Sequence, residues 1–327
     1  MPKSRLFLLV SIVAISIHTL GNFQAIKFHE KRAAAEEEIS QPSVIIATGH
    51  EKTAAAVKSP SEEEISQPSV IIAGVAMNIE PSVIRSLVPK FTNLGQSLGR
   101  PYHIYIYENN SPPESRTAWI EELSKDANST FLFEDIRLQH SRPQRIANAR
   151  NIVLEGVRKK WPEAEFLIMA DLDGVCGEMG SPDGYNATLV KKMMSEQSRG
   201  SWDAVSFMFP PYWDRWAFRQ RDVMPYNMYG RHGRKNKIQS MDGMDNWVTS
   251  QPREHFIEVE SAFMMFAMYR LSATTGCEYS GIDEYEDADC EHVAFHKDMR
   301  EKNGAKIRIY TSFYCDQVNE DSRVPSI

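Results

Sequence analysis

Short apolar segments alternate with helix-forming stretches from about residue 68 onward, and this alternation constrains the fold more than any other feature of the sequence. Residues 70–76 and 166–170 form two such apolar segments, and neither contains a charged side chain. Apolar residues recur near a period of 3.6 within residues 81–98, as in an amphipathic helix. The same patterns predict further strands and helices at residues 103–107, 115–123, 130–133 and 145–161. Strands that alternate with helices predict the α/β class, with one sheet flanked by helices.

Composition excludes several other classes of protein. Hydrophobic residues make up 42% and charged residues 25% of the chain, which is typical of a globular protein and not of a disordered, collagenous or polytopic membrane protein. The formal net charge of −7 argues against binding nucleic acid through bulk charge. Four cysteines are too few for a disulfide scaffold.

The N-terminus resembles a leader segment. Lys3 and Arg5 precede an apolar run at residues 6–20, which fits a signal anchor or signal peptide; the alternative is a buried N-terminal helix. We therefore expect a cytoplasmic tail at 1–5, the anchor at 6–20 and a lumenal catalytic domain. This predicts a single-pass type II protein of the Golgi or ER membrane, or a secreted protein if the leader is cleaved.

A polar stem with an internal duplication follows. Residues 21–67 are rich in Ala, Glu, Lys and Ser, a composition that favours a flexible segment. Residues 36–47 recur without change as residues 62–73. The second copy runs into the first core strand, whereas the first copy has no predicted position in the sheet. We place the single catalytic domain at residues 68–327.

Two aspartates follow the apolar segment 166–170 directly. Asp171 and Asp173 are two residues apart, at the strand end where α/β proteins bind their ligands. Their carboxylates would repel each other unless a cation such as Mn²⁺ or Mg²⁺ lay between them. The alternative is an Asp-rich turn without a bound metal.

Several segments in order resemble the GT-A glycosyltransferases, a Rossmann-like fold that uses nucleotide-sugars and a D-x-D motif. More loosely, the chain resembles the eukaryotic capsule-type mannosyltransferases and their algal and viral relatives. Where those relatives tend to have Gly-Gly, this chain has Met264 and Met265. The segments that carry both resemblances are residues 70–74, 105–111, 145–151, 166–173, 202–206, 212–218, 260–270 and 290–296.

The resemblance implies metal-dependent transfer of a sugar to a hydroxyl of a glycan or glycoconjugate, with GDP-mannose as the donor that the loose subfamily match suggests. Developing charge on the diphosphate would be stabilised by a divalent ion and by Arg side chains. The expected nucleotide-binding residues are Glu108, Asn109, Arg145, Arg150 and Asp171. Arg145 and Arg150 would reach the diphosphate; solvated positions on a helix are the alternative.

The expected metal ligands are Asp171, Asp173 and a C-terminal histidine, either His296 or His292. These two histidines are four residues apart and share one face of a helix. Packing within the core is the alternative for whichever histidine does not bind the ion. If the reaction inverts the anomeric centre, Glu291 is the expected general base, and Asp287 and Asp289 compete for that role. The sequence does not decide between inversion and retention.

Two other functions use the same residues. The segment 166–175 also resembles the first motif of haloacid-dehalogenase-type phosphatases, in which Asp171 would be the nucleophile and Asp173 the acid/base. Such enzymes place this motif on the first strand of their core, whereas about 100 residues precede it here. A non-catalytic carbohydrate-binding protein would use the aromatic segment 212–216 without needing the aspartates.

Overall fold

The computed structural model describes residues 67–135, 140–172, 184–208, 214–231, 242–244, 246–247 and 250–312. These residues contain one eight-stranded sheet with the strand order β3-β2-β1-β4-β7-β5-β8-β6. The strands are β1 (Val70–Ala76), β2 (Tyr102–Asn109), β3 (Ser129–Glu134), β4 (Phe166–Asp171), β5 (Ala204–Phe207), β6 (Phe256–Glu258), β7 (Phe266–Arg270) and β8 (Ile307–Tyr310). The helices are α1 (Pro81–Ser97), α2 (Pro113–Leu123), α3 (Arg142–Lys160), α4 (Ala187–Ser198) and α5 (Glu291–Asn303).

The sheet is mixed. Strands β3, β2, β1 and β4 are parallel neighbours, and β7 pairs antiparallel with both β4 and β5. The chain builds outward from β1 to β2 and β3 on one side and then returns to add β4 on the other side. The carboxyl ends of β1 and β4 therefore flank a topological switch point, where ligands of open α/β sheets bind.

The centre of the sheet is fully buried. Residues Val70–Ala73 of β1 and Phe166–Ala170 of β4 have no exposed surface, and α1 and α3 pack against β1 and β2. Gly74 of β1 allows β4 to approach closely: a Cβ atom there would lie 2.6 Å from Leu172 Cδ2 and 2.9 Å from the carbonyl oxygen of Ala170.

The predicted fold class, a mixed α/β sheet flanked by helices, is confirmed. Strand β1 has the predicted bounds, and β4 extends by one residue to include Asp171. Helix α3 begins at Arg142, earlier than the predicted residue 145. Pro143 lies in its first turn, where proline is tolerated because the backbone N–H has no partner within the helix.

The predicted location requires a correction. In the part of the chain that the structure describes, no helix is long and apolar enough to cross a membrane. This finding contradicts the expectation of a single-pass type II protein anchored in the Golgi or ER membrane. The predicted tail at 1–5, the anchor at 6–20 and, except for Gln67, the stem at 21–67 lie outside the described residues.

Gly281 lies against the first turn of α3, and we predict that Gly281→Ala destabilises the fold. A Cβ atom at this position would overlap the backbone of Pro143 and Gln144. The displacement should lower the free energy of unfolding by about 1–3 kcal/mol, measured by urea denaturation. Gly243→Ala is the matched control, because an added Cβ there meets nothing within 4 Å. Equal stability of the two variants would contradict the packing described here.

Candidate active site

A cavity of about 470 Å³ lies at the switch point between β1 and β4. Its wall combines the carboxyl ends of β1, β2 and β4 with the beginnings of α3 and α5. Asp214 and Trp216, from the segment between β5 and β6, also line it. The polar and charged residues in this wall are Asn78, Asn109, Arg142, Arg145, Arg150, Asp171, Asp214, Glu291 and His292.

Asp171 is the last residue of β4, and its side chain is 28% exposed. Its backbone is fixed on both sides, because it pairs in register with Val75 of β1 and its N–H donates to the carbonyl oxygen of Met265 at 2.8 Å. The carboxylate Oδ1 accepts a hydrogen bond from Arg150 at 2.5 Å. The sheet therefore presents one anchored carboxylate to the cavity.

Arg150 lies at the back of the cavity and is 3% exposed. Its guanidinium forms ion pairs with Asp171 and Glu291 and contacts the Nε2 atom of His292. The ring of Phe263 lies beneath it, with 4.6 Å between Cζ and the ring centroid. Burial lowers the pKa of Arg150, but the carboxylates of Glu291 and Asp171 outweigh this and raise it above its ordinary value. This arginine is therefore a charged internal bridge between Asp171 and Glu291 at the cavity wall, and its contact with a diphosphate stays a prediction.

The first turn of α3 gives the cavity a cationic rim. Arg142 is exposed and Arg145 is half-buried, and both line the cavity. Arg145 also donates to the carbonyl oxygen of His140 at 2.7 Å. The positive dipole end of a helix N-terminus also favours anions. This rim therefore suits a phosphate or diphosphate.

The two predicted nucleotide-binding residues at the end of β2 have different environments. Glu108 is fully buried, and its carboxylate accepts from the N–H of Ser111 at 2.5 Å and from Nε of Arg116 at 3.1 Å. Asn109 is 5% exposed and lines the cavity. The structure thus brings Asn109, but not Glu108, to the cavity wall.

Both predicted histidine ligands lie on the buried face of α5. His296 is 1% exposed and contacts Ser261 Oγ through Nδ1 at 3.0 Å and Tyr269 OH through Nε2 at 3.2 Å. Burial, with Arg300 and Arg150, lowers its pKa to about 3. His292 reaches the cavity wall, and burial together with Arg150 and His296 holds its pKa well below the usual range. The structure thus surrounds both imidazoles with aromatic side chains and keeps both of them uncharged.

The described residues supply only part of a metal site. Asp171 offers the carboxylate oxygen that Mn²⁺ and Mg²⁺ prefer. Within residues 67–312, outside the gaps given above, no group of three His, Cys, Asp or Glu side chains is arranged to hold a metal ion. Asp173 lies outside the described residues, so its role stays a prediction.

The acidic run before α5 stands apart from the cavity. Asp287 Oδ1 accepts from Nε of Arg231 at 2.8 Å, and Asp289 forms a buried ion pair with Arg219 at 2.6 Å. Neither residue lines the cavity, whereas Glu291 does. Glu291 is therefore the member of this region that the structure brings to the site.

Asp214 is a cavity residue that the sequence analysis assigned no role. It is half-buried, and its Oδ2 atom accepts from the N–H of Met264 at 2.8 Å. Burial raises its pKa to about 6, although backbone N–H groups and Arg150 act in the opposite direction. The aromatic segment 212–216 contained this residue, but only the fold shows that its carboxylate reaches the cavity.

Arg142 and Asn78 were missed as well. Asn78 follows β1 by two residues, as Asp173 follows Asp171, so the rule that ligands meet strand ends could have found it. Of the aromatic residues, Trp216 lines the cavity and Phe218 is fully buried. Tyr212 and Trp213 lie outside the described residues.

The chain shows distant likeness to solved structures. No protein-family model matches the chain, and no curated protein matches it. Staphylococcus aureus TarS is 12% identical with a TM-score of 0.42, and the match covers 76% of this chain but only 37% of TarS. The mannosyltransferase PcManGT of Pyrobaculum calidifontis, in complex with GDP-Man and Mn²⁺, is 11% identical with a TM-score of 0.41 over 93% of this chain and 68% of that one.

Glucosyl-3-phosphoglycerate synthase from Mycobacterium tuberculosis, in complex with Mn²⁺, UDP and phosphoglyceric acid, is 8% identical, with a TM-score of 0.42 over 77% of this chain and 72% of that one. At these values the likenesses establish no family for this chain. The GDP-Man, UDP and Mn²⁺ named above are ligands of those neighbouring proteins.

We predict that Arg150→Met destabilises the fold strongly, because it leaves the Glu291 carboxylate buried without its cation. Breaking one partner of a buried ion pair costs about 3–5 kcal/mol, measured by urea denaturation. The double variant Arg150→Met/Glu291→Gln should recover part of this loss. Arg308→Met is the matched control: Arg308 pairs with Glu258 at 2.6 Å, but Glu258 is 79% exposed, so we expect a loss below about 1 kcal/mol. Similar losses in Arg150→Met and Arg308→Met would contradict the buried bridge.

Proposed function

We propose that this protein transfers a sugar from a nucleotide-sugar to a hydroxyl group of a glycan or glycoconjugate and depends on a divalent metal ion. One observation carries the proposal: the cavity at the switch point has the Asp171 carboxylate on one wall and the cationic start of α3 on another. A metal-bound diphosphate needs both, because the ion is held by carboxylate oxygens and the phosphate oxygens by cations.

The proposed diphosphate site is the first turn of α3. Arg142 and Arg145 lie in the first turn of the helix, whose positive dipole end also favours a negative ligand. Negative charge grows on the diphosphate as the glycosidic bond breaks, so cations aimed at it stabilise the transition state more than the ground state. Arg150, by contrast, supports Asp171 and Glu291 from behind.

Asp171, together with Asp173, is proposed to hold Mn²⁺ or Mg²⁺. Bound there, the ion would neutralise charge on the departing diphosphate. Asn78 and Asn109 are proposed to bind the nucleoside, because their amides can both donate to and accept from a base or ribose. GDP-mannose is the donor we propose first, on the sequence resemblance to the capsule-type mannosyltransferases.

The first experiment is a donor panel on the full chain. GDP-mannose, UDP-glucose and UDP-N-acetylglucosamine are incubated with and without Mn²⁺, and released nucleoside diphosphate is measured. We expect release from one donor only when Mn²⁺ is present, and at least about 100-fold less in Asp171→Ala. Asp222→Ala, which removes an exposed carboxylate outside the cavity wall, should behave as the unmodified chain.

Other outcomes would contradict the proposal. Phosphate released from a phosphomonoester, without turnover of any nucleotide-sugar, would favour the phosphatase. Sugar binding that survives in Asp171→Ala, again without turnover, would favour a carbohydrate-binding protein.

A second prediction concerns the cationic rim. Arg145→Ala should raise the KM for the donor about tenfold or more, because a hydrogen bond to a charged phosphate contributes about 1.5–3 kcal/mol. Arg85→Ala is the matched control, since Arg85 lies on α1 in a surface pair with Glu121 at 3.7 Å. The measurement is the initial rate of nucleoside diphosphate release against donor concentration. An unchanged KM in Arg145→Ala would exclude Arg145 from the donor site.

A further inference from the structure

A strained two-residue turn lies beside the cavity. Met264 and Met265 have φ angles of 56° and 63°, in the left-handed region that residues other than glycine seldom adopt. Two such residues in succession persist only where the surroundings fix them, and strain of this kind concentrates at functional sites. Met264 is also 2% exposed, so its side chain is held in the core.

The turn holds two carboxylate-bearing segments. The N–H of Met264 donates to Asp214 Oδ2 at 2.8 Å, and the carbonyl oxygen of Met265 accepts from the N–H of Asp171 at 2.8 Å. Strand β7 begins at the next residue and pairs with β4 through Phe266 and Ala170. The strained turn therefore fixes the position of Asp214 relative to the carboxyl end of β4.

Two further carboxylates that line the cavity, those of Glu291 and Asp214, have different partners. Glu291 is ion-paired with the buried guanidinium of Arg150, so its carboxylate is already engaged by a cation. Asp214 accepts hydrogen bonds from backbone N–H groups of Met264 and Ala217. Among the residues that the structure describes, no Lys or Arg is within ion-pair distance of Asp214.

We propose that Asp214, and not Glu291, is the general base that takes the proton from the acceptor hydroxyl, and that the Met264–Met265 turn positions it. This inference rests on the proposed glycosyl transfer. The acceptor O–H bond breaks and its proton moves to the Asp214 carboxylate. The acceptor oxygen bonds to the anomeric carbon, and the bond from that carbon to the diphosphate oxygen breaks with its electron pair leaving on the diphosphate. Glu291 acts as a positioning residue through Arg150.

The charges around Asp214 suit this role. Burial raises its pKa to about 6, the Glu291 carboxylate raises it as well, and Arg150 and the backbone N–H groups lower it. The Cys290 thiol also faces this carboxylate, and burial keeps its pKa well above the usual range, so it stays uncharged. A base whose pKa lies near the working pH is both ionised and basic enough to accept a proton.

The test uses the full chain and whichever nucleotide-sugar it turns over, with water as the acceptor. Turnover should rise from about pH 5 to about pH 7, because the base is active only when ionised. Asp214→Asn should lower turnover about 10²- to 10⁴-fold and remove this rise, while the Kd for GDP or UDP, measured by calorimetry, changes less than about twofold. Formate should restore part of the activity of Asp214→Ala, which a purely structural role would not allow.

Two comparison variants separate the candidates. Glu291→Gln should move the rise to lower pH without removing it, because it removes a negative charge that raises the pKa of Asp214. Asp222→Asn should leave turnover and its pH dependence unchanged. A full pH-dependent rise in Asp214→Asn, or its loss in Glu291→Gln alone, would overturn the assignment. Failure of the unmodified chain to bind GDP and UDP would instead overturn the proposed transferase, and this inference with it.

Discussion

The guanidinium of Arg150 joins three elements that are distant in the chain: α3, which carries it, β4 through Asp171, and α5 through Glu291. A positive charge buried to this extent is tolerated only because carboxylates and an aromatic face surround it. Each of those carboxylates is likewise held in one orientation by the same cation. The position of the cavity wall is therefore set by electrostatics as much as by apolar packing.

The arrangement divides the cavity by charge. The start of α3 supplies the cations Arg142 and Arg145, and the ends of β4 and α5 supply carboxylates. This division favours an orientation in which the negative end of a ligand lies against α3. Glu291 and Asp214 differ in their partners, because Glu291 is paired with Arg150 whereas Asp214 accepts a hydrogen bond from the backbone N–H of Met264.

The first half of the fold could be predicted from local pattern, because β1 and β4 are continuous apolar runs and α1 has a clear apolar period. The carboxylate of Asp171 was identified on the same basis, since it follows such a run directly. The role of Arg150 could not be predicted, because its partner Glu291 is 141 residues away and only the fold brings them together. The surroundings of Glu108 were equally hidden in the sequence: this strand-end carboxylate is buried and accepts hydrogen bonds from Ser111 and Arg116.

The duplicated segment creates an ambiguity that a single glycine resolves. Residues 36–47 match residues 62–73 at every position, so both copies contain the first four residues of the central strand β1. The copies diverge at the next residue, which is Thr48 in the first and Gly74 in the second. A side chain at that point would collide with Leu172 and with the backbone of Ala170. The fifth position of this central strand therefore selects glycine over the threonine of the first copy, because the strand that carries Asp171 leaves no room for a side chain.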